Sequence, residues 1–201
     1  MKNMHRFCAS VVICAAGFIL PLFAGARQEP ASTPAAATAA VQHDGSHDFD
    51  PLLGSWKYHL RRRLNPLTGS NKWIDYEGTG VCRTIYDGAQ IDQLSAEGSV
   101  GKIDGLTLRT YNPESRQWRL YWANKKVGVL DPPQVGEFKD GVGEFFAVDT
   151  INNKTILIRF GWTNMTTTPH FEQSFSDDGG RTWEVNWITD QTRVADSSKT
   201  R

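Results

Sequence analysis

The stretch ILIRFGW, residues 156–162, carries a large apolar side chain at every second position: Ile156, Ile158, Phe160 and Trp162. A period of two is typical of a β-strand with one buried face, because successive side chains of a strand point to opposite sides. The same alternation appears on both sides of this stretch, in residues 73–79, 117–122 and 171–175. The pattern therefore predicts a chain built from strands, and no long segment has the 3.6-residue period of a helix.

Short turn motifs rich in Gly, Asn, Asp and Pro separate the predicted strands. They lie at residues 65–69, 87–88, 104–105, 112–114, 139–141, 152–153 and 177–180. So many antiparallel strands must form a sandwich or close on themselves, and closure removes the exposed sheet edges that favour aggregation. We therefore predict an all-β, antiparallel up-and-down barrel of roughly eight to ten strands, which has room for one small ligand. The barrel is expected as a single domain over residues 48–194.

The N-terminus has the features of a secretory signal peptide over residues 1–26. Lys2 and Arg6 precede a nearly continuous apolar run, and small residues at 24–26 form a cleavage site. An uncleaved anchor is the weaker alternative, because the run is shorter than the roughly 20 residues that span a bilayer. The mature protein is therefore expected to be secreted or periplasmic.

Two segments without large apolar side chains flank the predicted barrel. Residues 27–47 begin with a stretch rich in Ala, Pro and Thr and are expected to form a disordered linker, and residues 195–201 a disordered tail. Loss of the signal peptide leaves a near-neutral chain, with two fewer basic than acidic residues. Such a chain has no electrostatic attraction to nucleic acid or to a membrane surface. Cys82 would then be the single cysteine, so the fold cannot depend on an internal disulfide.

Four short motifs link the predicted barrel to a known family. They are LLGSW at 52–56, LDPP at 130–133, GVGEF at 141–145 and FSxDGGxTW at 175–183. Together they resemble a family of exported bacterial proteins with a lipocalin-like domain of unknown function, over roughly residues 48–193. The resemblance implies a calycin-type β-barrel and no established activity, so no catalytic residue is predicted.

The Gly54-x-Trp56 element is also similar to that of lipocalins, fatty-acid-binding proteins and nitrobindin-like haem barrels. The chain lacks the longer glycine-rich opening motif of the haem barrels, so no haem or other cofactor is predicted. In lipocalin-like barrels, an Arg that follows the last strand lies over the Trp of this element and closes one end. The resemblance assigns this structural pair to Trp56 and Arg193, a cation–π contact of about 0.5–2 kcal/mol.

Aromatic side chains are the strongest candidates for a ligand site. All seven Trp residues fall within the predicted barrel, and the alternation places Trp118 with Trp122, and Trp183 with Trp187, on common faces. If these faces point inward, they line an apolar cavity suited to an aromatic or amphipathic ligand; otherwise they fill a packed core. The candidate ligand-binding residues are Tyr58, Trp118, Trp122, Arg159, Trp162, Trp183 and Trp187.

Polar side chains on the same strands allow two further interpretations. Most are expected on the solvated exterior, with one or two inside to bind a polar group; they are Arg109, Arg119, Arg159, Glu172, Glu184 and Asn186. A polar pair such as Glu172 with Arg159 would instead suit an enzyme, although no catalytic motif is present. His43 and His47 lie among acidic residues ahead of the first strand, where no rigid frame holds them, so no metal site is predicted.

These observations favour a barrel that binds a small apolar or amphipathic ligand in its interior. The alternatives are an enzyme with a polar pair in the barrel and a packed structural or interaction module. The choice among these three functions depends on which strand face points inward. A shift of one residue in the strand register exchanges the two faces.

Overall fold

The computed structural model describes residues 43–195. These residues form a closed barrel of ten antiparallel strands, which confirms the predicted all-β, up-and-down fold. Each strand pairs with its neighbours in sequence, and the last strand pairs with the first. The strands are β1 (Gly54–Arg63), β2 (Trp73–Tyr86), β3 (Ala89–Gly98), β4 (Gly101–Asn112), β5 (Gln117–Asn124), β6 (Gln134–Lys139), β7 (Val142–Ile151), β8 (Lys154–Thr163), β9 (His170–Ser176) and β10 (Glu184–Arg193).

Some expected segments lie outside the described residues: the signal peptide over 1–26, most of the linker over 27–47, and nearly all of the tail over 195–201. The last five residues of the expected linker are described, and they include a short 3₁₀ helix, Gly45–His47. A second 3₁₀ helix, Asp50–Leu52, leads into β1. Within residues 43–195, no helix is long and apolar enough to cross a membrane.

The period of two sorts each strand into an inner and an outer face. In β1, Trp56, Tyr58 and Leu60 are buried, whereas Lys57 and His59 between them are exposed. Residues 156–162 of β8 alternate in the same way, and Ile156, Ile158 and Trp162 point inward. Apolar side chains at alternate positions therefore form the interior of the barrel.

The residues before β1 close one end of the barrel, and we call residues 43–53 the plug. Phe49 is fully buried, and its ring packs against four aromatic side chains: Trp118, Phe138, Phe145 and Trp162. The indole Nε1 of Trp118 donates a hydrogen bond to the carbonyl of Gly45 at 2.8 Å. The Gln90 amide donates to Asp50 Oδ1 at 2.8 Å. The plug is therefore bound to the barrel by both apolar and polar contacts.

The pair expected to close the barrel lies at this plugged end. The Arg193 guanidinium lies 4.2 Å from the centroid of the Trp56 ring. It also donates hydrogen bonds to the carbonyls of Pro51, at 2.7 Å, and Leu53, at 2.8 Å. Arg193 thus ties the end of β10 to the plug and to the start of β1.

Two apolar clusters fill the barrel at different heights. The first surrounds Phe49 at the plugged end. The second lies towards the opposite end and against β1–β4, and it contains Leu60, Tyr76, Ala96 and Ile103 with Trp122 and Trp187 packed against them. The two clusters do not fill the whole barrel, and space remains inside it.

Strand pairing is weakest between β5 and β6. Their ladder contains three residue pairs, from Trp118 with Gly136 to Leu120 with Gln134. Strand β7 pairs with β6 only as far as Phe146, and its remaining half pairs with β8 alone. The barrel wall is therefore incompletely paired here, beside the exposed Asp131, Pro132, Val148 and Asp149.

Candidate functional site: an internal cavity

A cavity of about 300 Å³ occupies the barrel interior. Its inner end, next to the plug, is lined by Arg109, Trp162 and Gln191. Arg62 is another of its lining residues. The cavity extends to an edge formed by Asp131, Pro132, Val148 and Asp149. We call that edge the mouth. The apolar part of its wall consists of Leu94, Leu120, Trp122, Ala147, Ile158, Phe160, Trp162, Phe171, Phe175 and Trp187. A wall that is mainly apolar with a few polar groups is typical of a small-molecule site.

A buried ion pair lies in the cavity wall near the plug. The Arg109 Nη2 group donates to Asp92 Oδ2 at 2.9 Å, and the Tyr58 hydroxyl donates to Asp92 Oδ1 at 3.0 Å. Arg109 is 1% exposed, and its guanidinium lies 4.9 Å from the Phe49 ring centroid. The Asp92 carboxylate thus satisfies Tyr58 and neutralises Arg109, which makes this end of the cavity electrically neutral overall.

Burial determines the protonation of the groups around this pair. Burial, with the nearby Asp92 charge as a further cause, raises the pKa of Tyr58 far above its ordinary value. Burial also raises the pKa of the Cys82 thiol to about 11. Cys82 lies 3.6 Å from Arg109 Nη1, but it stays protonated near neutral pH and is a poor nucleophile. Tyr58 and Cys82 therefore lie beside the ion pair in their neutral forms near neutral pH.

Four buried polar atoms of the cavity wall have no hydrogen-bond partner within the described residues. They are Arg109 Nε, Gln134 Oε1, Trp162 Nε1 and Gln191 Oε1. Two are N–H donors and two are carbonyl acceptors. Buried polar groups are nearly always paired, and an unpaired one costs about 1–3 kcal/mol. Four residues that line the cavity thus each carry a buried polar atom with unused hydrogen-bonding capacity.

This unused capacity has a measurable consequence for stability. Replacing Gln191 with Leu removes a buried unpaired acceptor, so we expect the empty protein to gain about 1 kcal/mol in free energy of unfolding. That gain corresponds to a melting temperature higher by roughly 2–4 °C in a thermal scan. The same result is expected for Gln134→Leu.

Gln173 provides the matched control because it lines the same cavity but is paired. Its amide donates to Asn186 Oδ1 at 2.6 Å, so Gln173→Leu is expected to destabilise the protein. Equal destabilisation by all three substitutions would show that the side-chain oxygens of Gln134 and Gln191 also accept hydrogen bonds in solution.

The structure brings together some of the residues that the sequence predicts for the site. Tyr58, Trp122, Trp162 and Trp187 line the cavity. Trp118 does not: it is fully buried in the cluster around Phe49. It therefore contributes to the packed core.

Trp183 and Arg159 lie outside the barrel, contrary to the site predicted from the sequence. The Arg159 guanidinium lies 4.8 Å from the Trp183 ring centroid, and neither residue lines the cavity. Trp183 precedes the first residue of β10, and a β-bulge between Val185 and Trp187 changes the strand register. Trp183 and Trp187 therefore do not share a face, because a bulge inserts one extra residue.

The polar pair considered for an enzyme is also on the outer face. Arg159 alternates with Ile158 and Phe160, which line the cavity, and Glu172 alternates with Phe171 and Gln173, which do the same. Glu172 instead contacts His170 Nε2 at 3.3 Å. Within residues 43–195, no group of three or more His, Cys, Asp or Glu side chains is arranged to hold a metal ion.

Among the polar residues of the cavity that were not singled out from the sequence are Asp92, Gln134 and Gln191. Each is less than 10% exposed. The inward direction of Gln191 could have been inferred from its position on β10. It lies two residues before Arg193 and therefore on the same face as the closing arginine. For Asp92 and Gln134 the local pattern contains no comparable marker.

Comparison with known proteins supports the fold and leaves the function open. No family model matches the chain, and no curated protein matches it. A similar solved structure is Rv2717c from M. tuberculosis, which is 12% identical with a TM-score of 0.50 over 76% of this chain and 99% of that one. Two others are EF1p2_mFAP2b bound to DFHBI (11% identity, TM-score 0.41, 75% and 99% coverage) and a fluorescence-activating β-barrel designed de novo (11%, 0.35, 76% and 100%). Residues 43–195 form a ten-stranded β-barrel with an internal cavity.

Proposed function

We propose that this barrel binds a small amphipathic ligand in its internal cavity. The observation that carries the proposal is the combination of a cavity of about 300 Å³ with four buried polar atoms that lack partners. A barrel packed shut for purely structural reasons would gain stability by filling that space and pairing those atoms. Their presence favours a ligand-binding barrel over a packed module.

The wall indicates how such a ligand would be held. Its apolar body would pack against Trp122, Phe160 and Trp187, which would supply most of the binding energy through burial. Its inner polar group would meet Trp162 Nε1 and Gln191 Oε1 near the plug. Of the polar residues that the sequence allows inside the barrel, Arg109 lines the cavity and Arg159 does not, while Tyr58 donates a hydrogen bond to Asp92.

We also propose that the protein acts after export, as a lipocalin-like binding barrel of the calycin type. The support is the signal-peptide pattern over residues 1–26 and the Gly54-x-Trp56 element with its partner Arg193. Export would place the cavity where it can collect or carry a compound outside the cytoplasm.

The direct test is native mass spectrometry of the protein purified from its own host, compared with the same sample after mild denaturation. We expect a small-molecule mass that is retained under native conditions and lost on denaturation. Ala147→Trp, which places an indole in the cavity, should lower the affinity about tenfold or more, because the indole occupies space that the ligand would fill and each loss of about 1.4 kcal/mol in binding free energy is a factor of ten.

The matched control is Thr150→Trp, which adds the same indole to the exposed surface of β7. Thermal unfolding verifies that both variants are folded. If Ala147→Trp does not fold, Ala147→Phe replaces it with a smaller ring. Retention that is equal in the Ala147 and Thr150 variants would place the ligand elsewhere and contradict the proposal.

A further inference from the structure

The mouth of the cavity carries two carboxylates without a cationic partner. Asp131 and Asp149 are both exposed and both line the cavity. No Lys, Arg or His nitrogen among the described residues lies within 4.0 Å of either carboxylate, unlike Asp92, Asp104 and Asp177. Asp149 Oδ1 accepts a hydrogen bond from the backbone N–H of Thr150 at 2.7 Å.

The two carboxylates are close enough to affect each other. Burial, and then the charge of Asp149, raises the pKa of Asp131 above its ordinary value. Like charges held together without a counterion create a local negative potential, which attracts a cation and repels an anion.

The two arginines of the cavity offset this potential only in part. Arg109 is already neutralised by Asp92 at 2.9 Å. Arg62 keeps its charge, but it lies on β1, across the barrel from β6, with its guanidinium 4.6 Å from the Trp187 ring centroid. Of the lining residues, three carry carboxylates and two carry guanidinium groups, so the cavity has a net negative charge.

A buried acceptor, Gln134, lies three residues after Asp131 in the chain. Gln134 is 4% exposed, lines the same cavity, and its Oε1 atom has no partner among the described residues. Pro132 and Pro133 link it to Asp131 and restrict the backbone between the two. The cavity that the two carboxylates border therefore also contains an unpaired carbonyl oxygen, which can accept a hydrogen bond from an N–H donor.

We propose that the ligand carries a protonated amine, which Asp131 and Asp149 hold at the mouth while its apolar body lies inside the barrel. This inference rests on the proposed function, since it names the chemical class of the ligand for the same cavity. Gln134 Oε1 accepts a hydrogen bond from the ligand near its cationic end. A ligand with a carboxylate in the same position is disfavoured.

The test uses three probes that differ only in one end group. Each has a naphthalene ring, which carries an ethylamine, an ethanol or an acetate side chain. Their dissociation constants are measured by isothermal titration calorimetry with the protein over residues 27–201, at pH 7 and low salt. We expect the amine to bind about tenfold or more tightly than the carboxylate, with the alcohol between them, and the difference to shrink at high salt.

The decisive variant is Asp131→Asn/Asp149→Asn, which should bring the amine to the affinity of the alcohol. Its matched control is Asp87→Asn/Asp140→Asn, which removes two charges from exposed turns at the plugged end and should preserve the order. Ala147→Trp reports whether the probes bind inside.

The outcomes separate the two proposals. Interior binding without an amine preference, or a preference that persists in Asp131→Asn/Asp149→Asn, would overturn the amine assignment and leave the ligand-binding barrel intact. Binding that Ala147→Trp does not weaken, or no binding of any probe, would overturn both.

Discussion

Replacing Arg109 with Met is expected to lower the free energy of unfolding by about 3–5 kcal/mol. The substitution leaves the Asp92 carboxylate buried without its cation, and an unpaired buried charge is among the costliest defects in a protein interior. It also removes the guanidinium that lies over the Phe49 and Trp162 rings. Urea unfolding, followed by tryptophan fluorescence, measures the loss.

The matched variant Arg109→Met/Asp92→Leu separates the charge from the packing. Removing both partners leaves no buried charge, so the double variant should recover most of the lost stability. Asp92→Leu alone should also be strongly destabilising, because it leaves Arg109 buried and unpaired. If the double variant were as unstable as the sum of the single ones, the interaction between the two residues would be negligible and our account of the ion pair would be wrong.

Replacing Phe49 with Ala is expected to cost a similar amount, about 3–5 kcal/mol. Phe49 is fully buried, and it connects the plug to aromatic residues from β5, β6, β7 and β8. Loss of the ring leaves a void beneath Arg109 and opens a path for water to the ion pair. Urea unfolding reports the destabilisation, and acrylamide quenching of tryptophan reports the new access.

Phe146→Ala is the control for this substitution. The Phe146 side chain lies on the outer face of β7, is 45% exposed, and contacts Trp183. Its loss should cost under about 1 kcal/mol and should leave quenching at the plugged end unchanged. Similar losses from Phe49→Ala and Phe146→Ala would show that the plug is only loosely attached to the barrel.

The barrel itself was predictable because its signal is local and repeated. Residues 117–122, 156–162 and 171–175 each have apolar side chains at alternate positions, and these positions point inward in β5, β8 and β9. Six of the seven turn motifs fall between strands, but the turn predicted at residues 104–105 was wrong: Asp104 and Gly105 lie within β4, and the β3–β4 turn is at residues 99–100. An up-and-down barrel needs little further information, since each strand pairs with the next one in the chain.

The polar part of the cavity was much less predictable. In β4, Thr107 and Arg109 line the cavity, whereas Leu106 and Leu108 alternate with them on the other face. A pattern that assigns apolar residues to the interior therefore gives the wrong face here. Arg109 is stable inside only because Asp92 lies on the neighbouring strand, and no local sequence pattern contains that pairing.

Only some of the aromatic residues predicted for the site line the cavity, because alternation along one strand does not show how two strands pair. Trp122, Trp162 and Trp187 follow the alternation and line the cavity. Trp183 does not, because the bulge in β10 changes the register between Val185 and Trp187. A bulge depends on how two strands pair, so alternation along one strand does not reveal it.

The pairing of β10 with β1 has a consequence for how the chain folds. Nine of the ten ladders join strands that are consecutive in sequence, and such local contacts form rapidly. The tenth brings together distant segments: Arg193 bonds to Leu53, which is 140 residues away. Until β10 has been synthesised, β1 and β9 present unpaired edges that can join other chains. Truncation before β10 should therefore yield an aggregating sheet.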